Sequence, residues 1–410
     1  MAQIIVGLDI GTSKVCALVA SVEENGDVNI LGLAKSPCDG FIRGGIFNID
    51  TISRAIRNVI SMVENQSGEA VKKVIVGVAG SDIKGILSTS VITTRAPNHE
   101  ITKEDVARLI QDAKNVRYPS DKIILHTLPQ EFKVDGIEHI KDPIGMIGIR
   151  VEATVHIVTA SVSLIENFRR TVNRAGLEVE EFVFQPLASA YSVLEPEEIE
   201  IGVALIDIGA GTTDVAVFED GILRYTGSLP IAGERITGDI RKAFRIQKYL
   251  AEELKVKEGY AYLDAITEDK SIIVHGIGSR EPFEITRSML CQVIQPRVEE
   301  IFEILYEEHL RKQGFARSLS AGIVLTGGTA LLKGIVELAS KKFEMPARLG
   351  IPTKGFAGGF LEEVQNPIYS TAAGLVLYKA EEIKQGMKSK GSIINETVKK
   401  LKDFFKTIFG

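Results

Sequence analysis

The chain has 410 residues, of which 45% are hydrophobic and 25% are charged, values that are ordinary for a globular protein. Because a single hydrophobic core rarely grows to this size, we expect two or more domains. The net charge of −6 argues against general nucleic-acid binding, which usually requires a basic face.

Cysteine usage and the absence of targeting patterns indicate a protein body in the cytosol. Cys16, Cys38 and Cys291 are odd in number and far apart, which is typical of buried or free thiols in a reducing compartment. The N-terminus lacks the basic and then apolar pattern of a secretion signal. No apolar run approaches the roughly 20 residues that span a bilayer, and neither end carries a lipidation motif.

Predicted strands alternate with predicted helices along the chain. Thr102 is the expected N-cap of the helix predicted over 101–116. This alternation indicates an α/β protein with partly parallel sheets wrapped by helices. In chain order the expected elements are a strand pair over 4–20, a strand over 72–80, a helix over 101–116, a strand over 151–160, a helix over 162–175, a strand over 176–185, a helix over 187–194, a second strand pair over 201–218, and a strand, glycine turn and helix over 322–343.

The two strand pairs contain the same device, an apolar strand that runs into an aspartate and a glycine-rich turn. The sequences are IIVGLDIGTSKVCALVA and IGVALIDIGAGTTDVAVF. Glycine leaves a row of backbone N–H groups uncovered, and such a row suits phosphate oxygens. A carboxylate beside phosphate is repulsive unless a cation lies between them, so Asp9 and Asp207 are expected as outer ligands of Mg²⁺ through its waters. Lys14 would add direct charge compensation.

An alternative is that both are ordinary tight hairpin turns, in which aspartate and glycine are common for conformational reasons. The duplication favours the phosphate interpretation. A third glycine turn, LTGGTA at 325–330, favours it further.

Together these motifs resemble the actin/Hsp70/hexokinase ATPase superfamily. The resemblance implies two duplicated α/β lobes around a cleft that holds ATP with Mg²⁺, with one phosphate turn from each lobe. It also implies that the helices at 184–194 and 369–378 cross between the lobes. The implied phosphate-binding residues are Gly11, Thr12, Ser13, Lys14, Gly209, Ala210, Gly211, Thr212 and Thr213, and the implied adenosine-binding residues in the third turn are Gly327, Gly328 and Thr329.

Other residues follow from the same resemblance one at a time. Glu252 would accept from the ribose hydroxyls and Lys255 would flank the nucleotide; the alternative is a surface helix pair, since the two are three residues apart. Gly233 would approach the phosphates or ribose. Gln185 stands where actins carry a glutamine near the attacking water, and the alternative is a side chain that satisfies the backbone before Pro186.

Within the superfamily the chain resembles the FtsA family of bacterial cell-division proteins over nearly its whole length. The segments GLDIGTSKVCALV, VRYPSDKIILHTLPQEFKVDG, KDPIGMIGIRVEATVHIVTA, LASAYSVL and GIVLTGGTALLKGI agree with that family in order and spacing. Some members carry small residues in place of Gln185 and Pro186, so slow hydrolysis and a purely structural use of ATP both stay open. The implied units are subdomain 1A at 1–82, 163–200 and 369–385, subdomain 1C at 83–162, subdomain 2A at 201–238 and 311–368, subdomain 2B at 239–310, and a linker with a C-terminal helix at 386–410.

The last 25 residues form an amphipathic pattern that does not depend on the resemblance. The segment 386–392 is short and polar, so we expect it to be flexible. Residues 393–409 place apolar side chains at spacings of four, three, four and three, which is typical of one helical face. Six lysines against two acids give residues 386–410 a charge of +4, so the rest of the chain carries −10. The expected membrane-binding residues are Ile394, Val398, Leu401, Phe404, Phe405, Ile408, Phe409, Lys399 and Lys402.

A basic amphipathic helix on a flexible tether suits an anionic membrane surface. At 17 residues it would be roughly 25 Å long and would lie in the interface rather than cross it. The alternatives are packing on the protein's own surface or recruitment of a partner helix. The FtsA family carries a membrane-targeting helix there, and polymerisation would raise the avidity of many such helices.

The resemblance implies an adaptor that polymerises and anchors the FtsZ ring to the cytoplasmic face of the cell membrane at the division site, where it helps recruit other division proteins. It would be at most a weak ATPase. In the family a peptide tail of FtsZ docks on subdomain 2B, so the helix within 286–310 is the expected platform, and Arg297 the expected contact to an acidic residue. The alternative there is an ordinary exposed helix with solvated charges.

Two other functions of the same fold are the alternatives to the adaptor. A metabolite kinase would need an aspartate general base beyond the phosphate turns, and it would leave the basic tail without a purpose. A PilM-like pilus-assembly protein has the same fold, but is not expected to end in a membrane helix. Because the fold alone does not decide function, the tail is what favours the adaptor.

Overall fold

The computed structural model of the chain describes residues 2–42, 45–115, 118–275 and 281–388. The predicted linker residues after Lys388 and the whole predicted membrane helix, from Ile394 to Phe409, lie outside the described residues. Within the described residues the strands are β1 (Gln3–Ile10), β2 (Lys14–Val22), β3 (Val28–Pro37), β4 (Phe41–Ile42), β5 (Gly45–Ile46), β6 (Lys73–Val78), β7 (Lys84–Thr93), β8 (Lys122–Val134), β9 (Ile137–Ile140), β10 (Arg150–Ser161), β11 (Glu178–Phe184), β12 (Val203–Ile208), β13 (Thr213–Glu219), β14 (Ile222–Leu229), β15 (Ser271–Val274), β16 (Phe283–Thr286), β17 (Gly322–Thr326), β18 (Ala347–Leu349) and β19 (Gly358–Gly359).

The helices connect these strands and confirm the predicted alternation. A π-helical segment, Leu305–Arg311, continues the helix Arg287–Ile304, and short 3-10 turns lie at Leu263–Ala265, Gly328–Leu331 and Pro367–Tyr369. The α-helices are α1 (Ile49–Ser67), α2 (Lys103–Ala113), α3 (Val162–Arg174), α4 (Gln185–Val193), α5 (Pro196–Ile201), α6 (Gly233–Phe244), α7 (Lys248–Glu258), α8 (Arg287–Ile304), α9 (Ile335–Phe343), α10 (Leu361–Val364) and α11 (Ser370–Lys388).

The predicted N-cap of α2 is confirmed. The hydroxyl of Thr102 accepts from the backbone N–H of Asp105, and the carboxylate of Asp105 accepts from the backbone N–H of Thr102. This reciprocal pair satisfies two backbone donors that the first turn of a helix leaves open.

The first lobe is a six-stranded sheet in the order β11-β6-β1-β2-β3-β19. Side chains alternate across β2: Val15, Ala17 and Val19 share a core with α1 and α3, whereas Cys16 and Leu18 share one with α11. Since successive residues of a strand point to opposite faces, helices cover this sheet on both sides. This explains why β1 and β2 are apolar along nearly their whole length.

The second lobe repeats this construction with a five-stranded sheet in the order β14-β13-β12-β17-β18. In both lobes an antiparallel meander (β1-β2-β3 and β12-β13-β14) is flanked by parallel strands on the side of its first strand. Helices α6, α8 and α9 share a core with one face of the second sheet. The sequence predicted this duplication from the two repeated strand pairs.

A four-stranded sheet, β7-β10-β8-β9, with α2 against it, forms a separate unit inserted between β6 and α3. It also contacts the second lobe through β14. Gln130 donates from Nε2 to the backbone oxygen of Leu223 at 2.9 Å, and Nε2 of His156 lies 3.3 Å from Oγ1 of Thr226. The insert therefore bridges both lobes.

Helices α4 and α11 cross between the lobes. A Cβ atom placed on Gly374 of α11 would lie 1.9 Å from the backbone oxygen of Ala188 in α4, so the two backbones touch at this point. Helix α11 continues to Lys388, which corrects the expectation of a flexible linker from residue 386. Once the earlier part of α11 has nucleated the helix, each further residue adds one backbone hydrogen bond, which favours its extension.

Three smaller expectations concern thiols, membranes and metals. Cys16, Cys38 and Cys291 are buried and free, as predicted. None of the helices in the described ranges combines the length and apolar character that crossing a bilayer requires. Among those same residues, no three His, Cys, Asp or Glu side chains converge closely enough to enclose a metal ion on their own.

Candidate functional site

A cleft of about 600 Å³ lies where the two lobes meet, and this volume is within the range of ligand pockets. Most of the residues that the sequence assigned to a nucleotide lie on its wall. They are Asp9, Gly11, Thr12, Ser13, Lys14, Gln185, Asp207, Gly209, Ala210, Gly211, Thr212, Glu252, Lys255, Gly327, Gly328 and Thr329.

The two glycine turns have the same hydrogen bond. In the first turn the N–H of Gly11 donates to the oxygen of Lys14 at 2.9 Å, and in the second the N–H of Gly209 donates to the oxygen of Thr212 at 3.0 Å. Both are thus tight hairpin turns, as the conformational alternative proposed. Both also line the cleft, so the two interpretations describe the same residues.

The turns approach each other across the cleft. A Cβ atom placed on Gly211 would lie 2.4 Å from Oγ1 of Thr12 in the other lobe. Only glycine leaves room for this contact. A ligand held by one turn is therefore within reach of the other.

Three carboxylates, those of Asp9, Asp207 and Asp214, lie behind the turns, and Asp207 is close enough to the other two for their charges to act on it. Asp9 is the last residue but one of β1 and is 5% exposed, and its Oδ2 accepts from Nζ of Lys14 at 3.0 Å. Burial, together with the neighbouring charges of Asp214 and Asp9, raises the pKa of Asp207 to about 7. Burial raises the pKa of Asp214 to about 6. One oxygen of Asp214, Oδ1, is buried without a hydrogen-bond partner among the described residues.

Lys14 is the cation that pairs with this cluster. Burial alone would lower its pKa, but the carboxylates of Asp9 and Asp207 outweigh burial and the pKa is raised. One ammonium group against three carboxylates leaves an excess of negative charge. Oxygen donors with uncompensated charge are what a hard divalent cation such as Mg²⁺ prefers, so the donor set fits magnesium with its waters.

Gln185 lies on the cleft wall and is hydrogen-bonded to two protein groups. Its Nε2 donates to Oδ1 of Asp9 at 3.1 Å and lies 3.3 Å from the backbone oxygen of Gly77. The side chain therefore satisfies a backbone group while its amide stays on the cleft wall beside a carboxylate.

Glu252 and Lys255 form an ion pair at 2.7 Å, but it is not an ordinary surface pair. Lys255 is buried, and its Nζ also donates to Oγ1 of Thr237 at 2.9 Å and to the backbone oxygen of Gly233 at 3.2 Å. Burial lowers the pKa of Lys255. Glu252 is half exposed, so its carboxylate is the accessible member of the pair.

Two residues assigned to the nucleotide lie behind the wall of the cleft and not on it. Thr213 is fully buried, and its hydroxyl donates to the backbone oxygen of Ile231. Gly233 makes room for protein atoms, because a Cβ atom there would lie 2.4 Å from Oγ1 of Thr329.

Gly327 is on the wall of the cleft and also makes room for a protein atom. It has φ of +86°, and a Cβ atom on it would lie 2.3 Å from Oδ1 of Asp207. The absence of a side chain at Gly327 therefore makes room for the carboxylate of Asp207, and not only for an approaching base.

The sequence did not identify the rest of the cleft lining. These residues come from distant segments and carry no shared motif, so only the folded chain brings them together. They include Lys35, Ser36, Pro37, Phe41, Ala79, Phe168, Val256, Leu331, Leu332, Asn366, Pro367 and Ile368.

Arg297 does not line the cleft; it lies on α8 and is already paired. Its Nε donates to Oδ2 of Asp239 at 2.6 Å, and Nη1 contacts the carboxylate of Glu300. The hydrogen bond to Asp239 and the charges of both acids raise the pKa of Arg297 above its ordinary value, although burial opposes this. A partner's carboxylate would have to compete with these two.

Comparison with known proteins adds to this geometry. A family model described as "Cell division protein FtsA" matches residues 204–374, and one described as "SHS2 domain inserted in FTSA" matches residues 80–159. The cell division protein FtsA of Borreliella burgdorferi is 42% identical over 408 residues, which cover 98% of both chains.

Solved structures show the fold alone, because their sequence identities are low. A PilM–PilN type IV pilus biogenesis complex contains a chain with a TM-score of 0.67 at 18% identity, covering 92% of this chain and 98% of that one. MreB5 of Spiroplasma citri, solved with ADP, gives a TM-score of 0.57 at 17% identity, covering 94% and 98%. The two lobes with their central cleft are the actin-like ATPase fold.

Proposed function

From the premise that the chain belongs to the FtsA family of cell-division proteins, we propose that it is an ATP-binding adaptor that polymerises and holds the FtsZ ring at the membrane. Its role in cell division follows from the family. Binding of ATP with Mg²⁺, assembly into an actin-like filament, docking of the FtsZ tail, recruitment of later division proteins and attachment to the cytoplasmic face of the membrane through the C-terminal helix are the parts we propose.

The single observation that carries nucleotide binding is the pair of matching glycine turns, one from each lobe, facing each other over a carboxylate cluster. In this proposal the backbone N–H groups of residues 12–14 and 210–212 hold the phosphates, since those of Gly11 and Gly209 close the turns. Asp9 and Asp207 would hold the waters of Mg²⁺, and the magnesium would supply the charge that separates carboxylates from phosphates.

The remaining residues on the cleft wall would position the nucleoside. Glu252 would accept from the ribose, with Lys255 fixing its carboxylate, while the turn at Gly327–Thr329 lies against the base. Gln185 would orient a water beside Asp9. Its two bonds to protein groups favour a slow ATPase, or a nucleotide kept as a structural clamp.

The family assignment separates the adaptor from its alternatives. The likeness to PilM is at 18% identity and concerns the fold alone. The FtsA relative is 42% identical and matches from end to end. We therefore do not retain the pilus-assembly or metabolite-kinase functions.

Membrane attachment is tested with vesicles of phosphatidylglycerol and phosphatidylethanolamine, FtsZ and ATP. The full chain should sediment with the vesicles and bring FtsZ with it, whereas a chain ending at Lys388, which keeps α11 intact, should leave both in solution. Phe405→Glu should reduce the bound fraction about tenfold more than Asn395→Glu, because the first also removes an aromatic side chain whose burial in the membrane would contribute about 1.5 kcal/mol or more. Equal sedimentation of the full and shortened chains would overturn the membrane anchor.

Docking of the FtsZ tail is tested at Arg297 with two variants of opposite expected sign. Arg297→Met should weaken binding of an FtsZ tail peptide about tenfold, because a charge-assisted hydrogen bond is lost. Asp239→Asn should strengthen it, because the guanidinium is released from a competing carboxylate. Titration of labelled peptide gives both affinities, and unchanged binding in both variants would reject Arg297 as a contact.

A further inference from the structure

Helix α4 carries two polar side chains that reach the aspartates of different lobes. Gln185 donates to Asp9 of the first lobe at 3.1 Å, and Ser189 donates from Oγ to Oδ2 of Asp207 of the second lobe at 3.2 Å. Residues four apart lie on the same face of a helix. One face of α4 therefore holds both carboxylates that the repeated turns contribute.

Ser189 also joins α4 to the other crossing helix. It is fully buried, and its Oγ lies 3.1 Å from Oγ1 of Thr371 on α11. A serine hydroxyl has one hydrogen to donate and can accept others. Since Ser189 donates to Asp207, it accepts from Thr371, and the three groups form a directed chain from α11 through α4 to β12.

Neighbouring hydroxyls serve a different purpose. Ser192, one turn further along α4, is equally buried, but its Oγ donates to the backbone oxygens of Ser189 and Ser370 at 3.0 and 2.8 Å. It holds the helix pair together without touching a carboxylate. The contact to Asp207 is thus the distinguishing feature of Ser189.

We propose that Ser189 is a positioning residue that couples occupancy of the cleft by a magnesium nucleotide to the angle between the lobes, acting through Thr371 and the crossing of α4 with α11. This rests on the proposed function, in which Asp9 and Asp207 share one magnesium nucleotide. A ligand between the lobes draws both aspartates toward itself. Because each is tied to α4, the helix either follows them or loses a partly buried hydrogen bond.

Losing such a bond is costly enough to bias a hinge. A buried hydrogen bond typically contributes about 1 kcal/mol, and a bond to a charged group contributes more, which corresponds to a factor of roughly five or above in an equilibrium. A ligand shifts a conformational equilibrium only by its differential interaction with the two states, and the Ser189–Asp207 bond supplies such a difference.

The test compares Ser189→Ala and Thr371→Val with the matched control Ser192→Ala, all in the full chain. The first readout is the factor by which Mg²⁺ strengthens binding of the ATP analogue AMP-PNP, measured by calorimetry with magnesium and with EDTA. The second is hydrogen exchange of backbone amides in α4 and α11 with and without the magnesium nucleotide. A stability loss shared by all three variants is read from thermal melting.

In the wild type and in Ser192→Ala, the magnesium nucleotide should slow exchange in α4 and α11. In Ser189→Ala this slowing should disappear, and the strengthening by Mg²⁺ should shrink about threefold to tenfold; Thr371→Val should show the same changes to a smaller extent. A Ser189→Ala variant that matches Ser192→Ala in both readouts overturns the inference alone. A wild-type chain that binds no adenine nucleotide overturns the proposed function and the inference together.

Discussion

The Asp207→Asn variant is expected to unfold less readily than the wild type at pH 8 without nucleotide, and to bind magnesium ATP at least about a hundredfold more weakly. The two effects have one cause. The carboxylate is held in a place where its charge is unfavourable until a cation arrives, since burial, Asp214 and Asp9 raise its pKa to about 7. Asparagine removes the charge while keeping an oxygen that can accept from Ser189.

The pH dependence of the wild type follows from the same pKa. The folded carboxyl group titrates near 7 and the ordinary value is 3.8, so between these values the folded state holds a proton that the unfolded state has released. The free energy of unfolding therefore falls as the pH rises from about 4 to 7, by at most about 1.4 kcal/mol for each pH unit. Asp207 is partly exposed to the cleft, so the total stays below about 4 kcal/mol.

Thermal melting in EDTA from pH 5 to pH 8 measures this effect. The wild type should melt at a lower temperature as the pH rises, and Asp207→Asn should flatten that slope. Magnesium ATP should raise the melting temperature of the wild type at pH 8, because a ligand that binds only the folded state stabilises it. It should not raise that of Asp207→Asn, which binds it weakly.

Asp214→Asn is the matched control. Asp214 pairs with Asp207 across β12 and β13, and burial likewise raises its pKa, to about 6, but it does not line the cleft. Its replacement should also flatten the slope while weakening nucleotide binding far less. A melting temperature of the wild type that does not change with pH would contradict the assigned state of Asp207.

Features that rest on local sequence could be predicted before the structure. The turns at Gly11 and Gly209 follow from glycine and aspartate after an apolar strand, and the cap at Thr102 follows from a threonine placed just before an apolar helical pattern. The meeting of Asp9 and Asp207 in one cleft was also predictable, because the same device occurs once in each lobe.

Features that rest on distant pairing could not be predicted. Ser189 meets Asp207 across 18 residues and Thr371 across 182, and a single hydroxyl carries no motif. In the sequence Asp214 is indistinguishable from an ordinary strand residue, and only the pairing of β12 with β13 places it opposite Asp207. Gly233 was assigned to a ligand by family resemblance, and only the structure shows that Oγ1 of Thr329 closely approaches it.

The Gly374→Ala variant is expected to lose about 3 kcal/mol of unfolding free energy or more, through a single methyl group. That group would lie 1.9 Å from the backbone oxygen of Ala188 and 2.3 Å from its carbonyl carbon. Both are backbone atoms of α4, so no side-chain rotation relieves the clash and the helices must move apart. Overpacking of this kind costs about 1–3 kcal/mol where side chains can shift, and more where they cannot.

Gly238→Ala is the same substitution in helix α6, at a position with no atom within 4 Å of the added methyl group. It should raise stability by up to about 1 kcal/mol, since alanine favours a helix more than glycine does. Urea denaturation of both variants, followed by far-ultraviolet circular dichroism, gives the two opposite shifts in midpoint. Equal shifts would mean that α4 and α11 do not touch at Gly374.

The Gly374→Ala variant also tests whether coupling between the lobes passes through the crossing of α4 and α11. Moving α11 away from α4 stretches the Ser189–Thr371 contact, one helical turn from the crossing, while the wall of the cleft keeps both glycine turns. Gly374→Ala should therefore still bind AMP-PNP at low temperature, but nucleotide should no longer slow hydrogen exchange in α11. If the helix pair still responds as in the wild type, coupling between the lobes does not pass through this crossing.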